Sequence, residues 1–317
     1  MTAPTGSHAS ALISRRAVLS TSLVTGAVAF LPGAAAASGR LAPKRVARFA
    51  HMTDVHVQPE KAAGEGFAAA LAHAQSLPDR PDFVIFGGDN VMNVDGAKGA
   101  DRADVQLQTW RRAVQNELSV PSYICVGNHD VLRMHPTDGK AWAVDAFGTP
   151  DRFYAFERNG WKFVVLDSTS PRDGGYKGAL DDPQFEWLAG ELAATPATTP
   201  VLIVSHIPII SACAYFDGEN EKSGDWRVPG AWMHLDARRL KDLFARHANV
   251  RLCLSGHIHL VDQVMYNGVT YCCNGAVSGG WWGGPYHECT NGYGVVDLYD
   301  DGSFRNEYVT FAWTPRE

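Results

Sequence analysis

Apolar runs rich in valine, isoleucine and phenylalanine alternate along the chain with helical stretches, and this alternation constrains the fold more than any other feature. The predicted strands are Val46–Thr53, Phe83–Phe86, Ser122–Val126, Phe163–Leu166, Val201–Ser205 and Val250–Ser255. The predicted helices are Gly66–Gln75, Asp104–Leu118, Pro183–Leu192 and Ala237–His247. Strands and helices in this order are typical of an α/β domain. Because no internal repeat and no strong linker divides the sequence, we expect a single domain over residues 38–317.

The second half of the chain adds further β structure to this pattern. Arg152–Phe156 and Trp161–Asp167 predict a hairpin that turns at Asn159-Gly160, a dipeptide suited to a tight turn. The C-terminal strands are predicted at Gln263–Tyr266, Val269–Cys272, Gly294–Tyr299 and Arg305–Phe311. Residues 211–232 and 278–291 show no periodicity, and long loops of this kind tend to be functional.

Residues that bind metal ions follow five of the predicted strands. They are Asp54 and His56, Asp89, Asn128 to Asp130, His206, and His257 with His259. Ligands of open α/β sheets bind at the carboxyl ends of the strands, where residues distant in the chain meet. A mixture of aspartate, asparagine and histidine suits zinc, manganese or iron. Taken alone, each cluster is explained by an ordinary structural role at least as well as by metal binding. Only the joint occurrence of the clusters favours a metal site.

The order of these clusters and the residues within them resemble the motifs of the calcineurin-like metallophosphoesterases, in particular those of the exported, phosphodiesterase-like bacterial members. The matching elements, in chain order, are Asp54-Val55-His56, Gly87-Gly88-Asp89-Asn90, Gly127-Asn128-His129-Asp130, Ser205-His206 and Gly256-His257-Ile258-His259. They cover most of the chain after residue 37. The resemblance implies a four-layer αββα sandwich, in which two mixed β-sheets lie face to face with helices outside.

The resemblance also implies two divalent or trivalent metal ions, with iron, manganese or zinc as the candidates. One ion would take Asp54, His56, Asp89 and His259, and the other Asp89, Asn128, His206 and His257. Asp89 would then be shared by two ions about 3.5–4 Å apart, which clamp a phosphate and activate a bridging hydroxide for in-line attack. The glycines before Asp89, Asn128 and His257 would permit tight turns that aim these side chains.

His129 has no metal ion in this scheme. By the same resemblance it lies beside the leaving group, which it would protonate or stabilise, while Asp130 would orient its ring. General-acid help of this kind is typically worth about 10²–10⁴-fold in rate. The alternative is that His129 only forms a hydrogen bond within its loop. Of the histidines outside the motifs, we expect His51 to pack behind the ligands, and His73, His234 and His247 to lie at the surface.

Candidate substrate contacts lie close to these motifs. Arg133 closely follows the Asn-His-Asp motif and is a candidate partner of a substrate phosphate, together with Asn128; an ordinary exposed arginine is the alternative. The adjacent Trp281 and Trp282 cannot both face the same way, so at least one is a candidate wall of the substrate cleft. The alternative for this pair is core packing against Tyr286.

The first 37 residues predict a removable export signal. Ser14-Arg15-Arg16-Ala17-Val18-Leu19 precedes an apolar segment that ends near Leu31 and an alanine-rich tract. The paired arginines resemble the twin-arginine (Tat) type of bacterial signal, and the Tat export machinery is therefore an expected partner. The apolar segment is shorter than the ~20 residues of a spanning helix, so we expect no stable membrane anchor. The predicted location is the periplasm or the medium, and a Sec-type leader or an anchor is the alternative.

The charge of the chain disfavours nucleic acids as partners. Without Arg15 and Arg16 the chain holds 26 basic residues against 34 acidic ones, a formal net charge of −8. General nucleic-acid binders are more often basic and carry a stripe of lysine and arginine. We therefore expect no nucleic acid as a partner, although a positively charged metal site can still hold a single phosphate.

The cysteines are even in number, and in an exported chain this invites a disulfide interpretation. Cys125 and Cys253 lie inside predicted strands, where cysteine is usually a small buried hydrophobe. If any pair bonds, we expect Cys213 with Cys289, because both lie in loops. The absence of any Cys-x-x-Cys pair disfavours a structural zinc protein.

The predicted function is hydrolysis of small-molecule phosphate esters, with phosphodiesters preferred. Asn90-Val91-Met92-Asn93 lacks the Asp-Arg-Gly continuation of the protein serine/threonine phosphatases and the tyrosine of the purple acid phosphatases. One alternative is a phosphomonoesterase of the same fold, similar to acid or alkaline phosphatases. Another, from a different class, is a catalytically silent module that binds metal or phosphate. The two long loops are expected to select the substrate.

Overall fold

The computed structural model describes residues 42–131, 139–172 and 175–316, except for the side chains of residues 96–101. The predicted export signal and Arg133 lie outside the described residues. The strands are β1 Arg45–Met52, β2 Phe83–Gly87, β3 Ser122–Cys125, β4 Tyr154–Arg158, β5 Trp161–Leu166, β6 Thr169–Arg172, β7 Gly175–Gly178, β8 Val201–Ser205, β9 Val250–Ser255, β10 Val261–Tyr266, β11 Val269–Asn274, β12 Gly292–Tyr299 and β13 Phe304–Thr310. The helices are α1 Ala63–Ser76, α2 Gly96–Glu117, α3 Gly139–Phe147, α4 Asp182–Ala194 and α5 Ala237–Phe244.

Most strands belong to two mixed sheets. The first has the order β13-β12-β1-β2-β3, and β1, β2 and β3 run parallel within it. The second has the order β10-β11-β9-β8-β5-β4, and β5, β8, β9 and β11 run parallel. Strands such as β2 and β8 are buried at every position, as expected of parallel strands covered on both faces.

The two sheets pack face to face through an aromatic core. Phe49 and Phe83 of the first sheet stack with ring centroids 5.0 Å apart, and Phe163 of the second sheet meets Phe83 edge-on at 5.8 Å. Trp161 is also buried between the sheets, and its ring nitrogen donates to the carbonyl of Tyr299 at 3.0 Å. Such aromatic pairs contribute about 0.5–1.5 kcal/mol beyond their buried area.

Helices cover the outer face of each sheet. Phe67 of α1 and Trp110 of α2 contact Phe86 of the first sheet, with ring centroids 5.9 Å and 5.3 Å from it. On the other side, Leu188 of α4 and Leu240 of α5 are buried in one cluster with the outward residues of β5, β8 and β9. The layers are helix, sheet, sheet and helix, which confirms the predicted αββα sandwich.

The structure agrees with most predicted elements and adds three. Strands β8 and β9 begin and end where they were predicted. The predicted hairpin is confirmed, since Asn159 and Gly160 have φ of 53° and 81°, the left-handed values of a tight turn. Sequence reasoning missed α3, β6 and β7. The hairpin strands β6 and β7 contain Pro171 and several glycines, residues that ordinarily indicate loops.

The cysteines form no disulfide: each of the six is a buried free thiol. Cys125 and Cys253 lie in the core, as expected from their strands. Cys213 and Cys289, the pair named as the best candidates for a bond, pack together with Cys273 in one small apolar cluster but stay unbonded.

Candidate metal centre

Parallel strands from both sheets deliver the predicted ligands to one edge of the sandwich. Asp54 and His56 follow β1, Asp89 follows β2 and Asn128 follows β3, while the second sheet supplies His206 after β8 and His257 and His259 after β9. All are buried except His257, which is half-buried. The carboxyl ends of the strands therefore bring together seven side chains that lie up to about 200 residues apart in the chain, as the strand-end rule predicts.

The backbone at these positions is strained. Five of the seven ligand candidates have a left-handed φ, namely Asp54 (54°), His56 (45°), Asp89 (52°), His257 (71°) and His259 (61°). A side chain other than glycine in this region costs about 1–3 kcal/mol and persists only where its surroundings require it. The strain turns the side chains at the strand ends inward, toward one common volume.

Three nitrogen and oxygen atoms form the first half of the cluster. His56 Nε2 and His259 Nε2 lie 3.1 Å apart, and Asp54 Oδ1 lies 3.3 Å from His259 Nε2 and 3.8 Å from His56 Nε2. Asp54 Oδ1 is buried and has no hydrogen-bond partner among the described residues. An orphaned carboxylate oxygen facing two imidazole nitrogens is a donor set suited to a metal ion.

The second half of the cluster forms around Asp89. Its Oδ2 lies 3.2 Å from His206 Nε2, and His206 Nε2 lies 3.2 Å from Asn128 Oδ1. A ligand atom of His257 lies within 4.8 Å of both Asp89 and His206. The same Asp89 Oδ2 is 3.7 Å from His56 Nε2, so this single oxygen faces both halves.

Each carboxylate is anchored by one oxygen, which leaves the other oxygen for the cluster. Asp54 Oδ2 accepts from the Thr53 hydroxyl at 2.6 Å and from the backbone N–H of His257 at 2.8 Å. Asp89 Oδ1 accepts from the backbone N–H of His129 at 2.8 Å. The free oxygens, Asp54 Oδ1 and Asp89 Oδ2, are the ones that face the imidazoles.

Backbone carbonyls orient three of the four histidine rings. These contacts join His206 Nδ1 to Gly87 O (2.9 Å), His257 Nε2 to Ala231 O (3.0 Å) and His259 Nδ1 to Gly279 O (2.6 Å). A carbonyl oxygen can only accept, so the N–H lies on the contacting nitrogen and the neutral ring presents its other nitrogen to the cluster. This arrangement is the usual support of metal-binding histidines. His56 is the exception, because its Nδ1 has no partner among the described residues.

The electrostatics of the cluster require positive charge. Burial alone would raise the pKa of Asp89, but the His206 ring holds it far below its usual range. Burial alone would lower the pKa of His206, but the Asp89 carboxylate outweighs burial and raises it to about 9. Asp54 and His259 are paired in the same way. A metal cation can replace these imidazole protons, which makes the donor set fit a metal.

Two of the glycines in the motifs are required for space rather than for a turn. A Cβ on Gly127 would lie 2.2 Å from the backbone nitrogen of Asp89, and one on Gly256 would lie 2.1 Å from Asp54 Oδ2. Neither has a left-handed φ, whereas Gly88 does, at 100°. The turn explanation therefore holds for Gly88 and is wrong for Gly127 and Gly256, where two loops approach too closely for a side chain.

His129 lies at the edge of the cluster and faces the cleft. Its Nδ1 contacts the carbonyl of Met92, and its Nε2 lies 3.9 Å from Asp89 Oδ2. Its side chain is 30% exposed, in contrast to the buried ligand candidates. The ring also meets His56 edge-on at 4.7 Å. Because Nδ1 is engaged by Met92, Nε2 is the ring nitrogen that remains for a molecule bound in the cleft.

Asp130 does not orient His129, and that prediction is wrong. Its carboxylate accepts the backbone N–H groups of Gly127 (2.9 Å), Val91 (3.1 Å) and Asn90 (3.2 Å), whereas His129 Nδ1 contacts the carbonyl of Met92. Because these donors belong to the loops after β2 and β3, Asp130 joins the loop of Asp89 to the loop of Asn128. Burial, together with Asp89, raises the pKa of Asp130 to about 6.

A cleft of about 490 Å³ lies over the cluster, within the usual range for small-molecule sites. Apart from the cluster itself, its walls come mainly from the two long loops. The lining includes His129, Tyr176, Asp217, Trp232, Trp281 and Tyr286. Sequence reasoning pointed to these loops but missed Asp217 and Tyr176, since a single aspartate or tyrosine carries no motif.

The two adjacent tryptophans have separate positions. Trp281 lines the cleft, with its ring 4.5 Å from that of His259. Trp282 is fully buried, and its ring nitrogen donates to the carbonyls of Val55 (2.9 Å) and His56 (3.2 Å). Of the two candidates, Trp281 is therefore the one that lines the cleft, and the ring of Trp282 packs inside the core beside α1.

His234 is also placed differently from its prediction. It was expected at the surface but is buried, with Nε2 3.1 Å from Ser205 Oγ and Nδ1 2.8 Å from Asp236 Oδ1. The Ser-His-Asp arrangement resembles a nucleophilic triad, but Ser205 is buried and lies 2.7 Å from the carbonyl of Ile207. The contacts of His234 with Ser205 and Asp236 therefore join the start of the loop after β8 to the end of the same loop.

Comparisons with known proteins agree with the fold and with a phosphoesterase family. The sequence model described as calcineurin-like phosphoesterase matches residues 47–261. A relative from Synechococcus, named "Probable cyclic nucleotide phosphodiesterase", is 26% identical over 81% of this chain and 90% of its own length. The 3′,5′-cyclic adenosine monophosphate phosphodiesterase CpdA of Escherichia coli is 23% identical over 72% of this chain and 75% of its own.

Solved structures show the same fold at low sequence identity. A dimetal phosphatase from Danio rerio superposes with a TM-score of 0.60 at 16% identity, over 85% of this chain and all of its own. GAP50, described as the anchor in the inner membrane complex of Plasmodium, superposes with a TM-score of 0.52 at 17% identity, over 84% and 85%. Neither likeness identifies a substrate, because the fold hosts different functions.

Replacement of Asp89 by Asn is expected to reduce metal binding more than any other conservative change in the cluster. The amide keeps the shape of the side chain but removes the charge that faces both halves. Changes even behind a ligand typically cost about 10–100-fold in metal affinity, so we expect at least that loss. Elemental analysis after dialysis against a defined metal concentration measures it.

The matched control is Asp297→Asn. Asp297 is also buried, but it pairs with Arg48 at 2.7 Å and does not belong to the cluster. Circular dichroism of both variants separates loss of metal from loss of fold. A folded D89N protein that retains as much metal as the parent would contradict the assignment.

Proposed function

Because the chain belongs to the calcineurin-like phosphoesterase family, we propose that it is an exported phosphodiesterase that works with two metal ions. Family membership makes it a metal-dependent hydrolase of phosphoric esters. The number of ions, the diester preference and the location are the proposed parts. The observation that carries the proposal is the position of Asp89, which faces both halves of the ligand cluster at the floor of the cleft.

The donor atoms divide naturally into two sets. Asp54, His56 and His259 would hold one ion, and Asn128, His206 and His257 the other, with Asp89 shared between them. Bound together, such ions neutralise charge on a phosphate and lower the pKa of a water molecule beside it. The chain contributes rigidity: anchored carboxylates and carbonyl-oriented rings hold the donors in place before substrate arrives.

His129 is proposed as the group that serves the leaving oxygen. The Met92 carbonyl holds its Nδ1, so its Nε2 is the nitrogen that faces bound substrate. The donor would be the doubly protonated ring: as the bond from phosphorus to the leaving oxygen breaks, the Nε2 proton transfers to that oxygen and leaves a neutral ring with its N–H on Nδ1. An alkoxide is a poor leaving group, and this transfer matters most where the ester alcohol is weakly acidic.

The charge of the cleft supports diesters over monoesters. No lysine or arginine belongs to the described residues that line it, and histidines are the only basic side chains among them. A monoester dianion carries one more negative charge than a diester and gains more from added cationic side chains. The phosphodiesterase names of relatives over most of the chain point in the same direction.

Removal of metal is expected to abolish activity, and readdition is expected to restore it. The reconstituted protein should hydrolyse bis(p-nitrophenyl) phosphate with a higher kcat/KM than p-nitrophenyl phosphate, which a colorimetric assay measures directly. Hydrolysis at full rate by the chelated protein would reject the metal-dependent mechanism. A higher kcat/KM for the monoester would instead support the phosphatase alternative.

Replacement of His129 by Ala is expected to slow the hydrolysis of diesters, and the loss of rate should be larger for poorer leaving groups. With an alkyl leaving group we expect a loss of kcat of about 10²–10⁴-fold. With p-nitrophenolate, which leaves without a proton, the loss should be much smaller. Metal content should be unchanged, since His129 is not assigned to an ion.

The matched control for this variant is His247→Ala, which removes a half-buried histidine beyond the end of α5. Equal losses with both leaving groups would show that His129 acts on folding or metal position rather than on the departing oxygen.

The proposal that the protein is exported rests only on the predicted N-terminal export signal. Arg15 and Arg16 lie outside the described residues. Among the residues that the structure describes, no helix is long and apolar enough to cross a bilayer. We expect the double substitution Arg15→Lys, Arg16→Lys to leave the protein in the cytoplasm, because the twin arginines are an address read by a receptor. Cell fractionation measures this, and undiminished export of the double variant would reject the twin-arginine route.

A further inference from the structure

Asp217 is a carboxylate in the cleft that the hydrolytic chemistry does not use. Among the described residues lining the cleft, the carboxylates are Asp89, which belongs to the ligand cluster, and Asp217, which does not. Within the described parts of the chain, no lysine, arginine or histidine forms an ion pair with Asp217. A negative charge without a cationic partner is unexpected in a site that binds an anionic phosphate, so it requires an explanation of its own.

The protein holds Asp217 in a defined position. Its Oδ1 accepts a hydrogen bond from the Tyr286 hydroxyl at 2.5 Å, and its main-chain oxygen accepts one from Asn220 Nδ2 at 3.1 Å. The next residue, Gly218, has a left-handed φ of 83° and lies against the Trp232 ring. Oδ1 is therefore engaged by the protein, and Oδ2 remains available to a ligand.

Aromatic rings stand between Asp217 and the ligand cluster. The Tyr286 ring lies 5.6 Å from the His259 ring, so one tyrosine side chain spans the distance from a ligand candidate to Asp217. Trp281 meets the Tyr286 ring edge-on at 5.3 Å. Faces of tryptophan and tyrosine attract cations within about 6 Å, most strongly where water is excluded.

The backbone at Trp281 is strained. Its φ of 51° and that of Trp282, 68°, are both left-handed, which is strained for tryptophan. Burial of Trp282 and its hydrogen bonds to the loop of His56 maintain this backbone. The strained pair presents the Trp281 ring to the cleft, beside His259 and Tyr286.

We propose that Asp217, Trp281 and Tyr286 form a subsite for a positively charged ammonium group on one of the two alcohols of the substrate. A carboxylate beside aromatic faces is the arrangement that recognises alkylated ammonium groups. The substrate class is then zwitterionic phosphodiesters, in which the phosphate binds at the cluster and an amino or quaternary ammonium alcohol occupies the subsite. This inference rests on the proposed phosphodiesterase function.

The test compares two diesters that differ only in charge. One is p-nitrophenyl phosphocholine, and the other is p-nitrophenyl 3,3-dimethylbutyl phosphate, in which carbon replaces the charged nitrogen. We expect kcat/KM of the metal-loaded parent to be about 10-fold or more higher for the zwitterionic phosphocholine diester. In Asp217→Asn, which keeps an acceptor for Tyr286 but loses the charge, this ratio should fall to near one.

The control variant is Glu219→Gln, which removes an acidic charge two residues away. Glu219 is exposed and pairs with Lys222 outside the cleft, so the ratio should stay at its parental value. If D217N does not fold, choline provides a second measurement on the parent: it should raise KM for bis(p-nitrophenyl) phosphate, whereas 3,3-dimethylbutanol should not.

The outcomes separate the inference from the function on which it rests. A parental ratio near one, or no effect of choline, overturns the ammonium subsite while hydrolysis of the 3,3-dimethylbutyl diester still supports a phosphodiesterase. A D217N variant that keeps the ratio overturns it as well, because the charge is then not what recognises the ligand. If neither diester is hydrolysed by the metal-loaded parent, the phosphodiesterase proposal itself fails.

Discussion

Asp54 and Asp89 are buried carboxylates that lie close together, and the rest of the site is organised by the need to compensate their charge. Transfer of an unpaired carboxylate from water to a protein interior costs several kcal/mol. The neighbouring His206 and His259 respond with raised pKa values, and each carboxylate also uses one oxygen for hydrogen bonds. Since cations can replace the imidazole protons, occupancy of the cluster is linked to the stability of this edge of the sandwich.

The sandwich makes this concentration of charge possible because it joins the edges of two sheets. The oxygen donors Asp54, Asp89 and Asn128 come from the first sheet, whereas three of the four imidazoles come from the second. The contacts of Phe49 and Phe83 with Phe163 fix one sheet against the other. Small relative movement of the sheets would separate oxygen donors from nitrogen donors, so core packing and site geometry are coupled through the same interface.

Local sequence patterns were sufficient to predict the strands of the two large sheets. Val201–Ser205 was predicted with its observed ends because a buried parallel strand is a continuous apolar run bounded by polar residues. The roles of Asp130, His234 and Trp282 were not predictable in this way. Their positions depend on which backbone groups of other loops they meet, and such contacts leave no periodic signal in the sequence. The strands β6 and β7 were missed because the proline and glycines within them ordinarily indicate loops.

The neighbouring tryptophans divide the loop between β11 and β12 into a fixed and a variable part. Trp282 leaves no room for a Cβ on Gly66 of α1, so neither residue can change alone without disturbing the core. The ring of Trp281, one residue earlier, contacts the rings of His56, His259 and Tyr286, which line the cleft. Substitutions at position 281 can therefore change the substrate specificity, while Trp282 maintains the backbone conformation that places residue 281 in the cleft. For laboratory evolution, saturation at position 281 with position 282 held constant would search new specificities at little cost in folding.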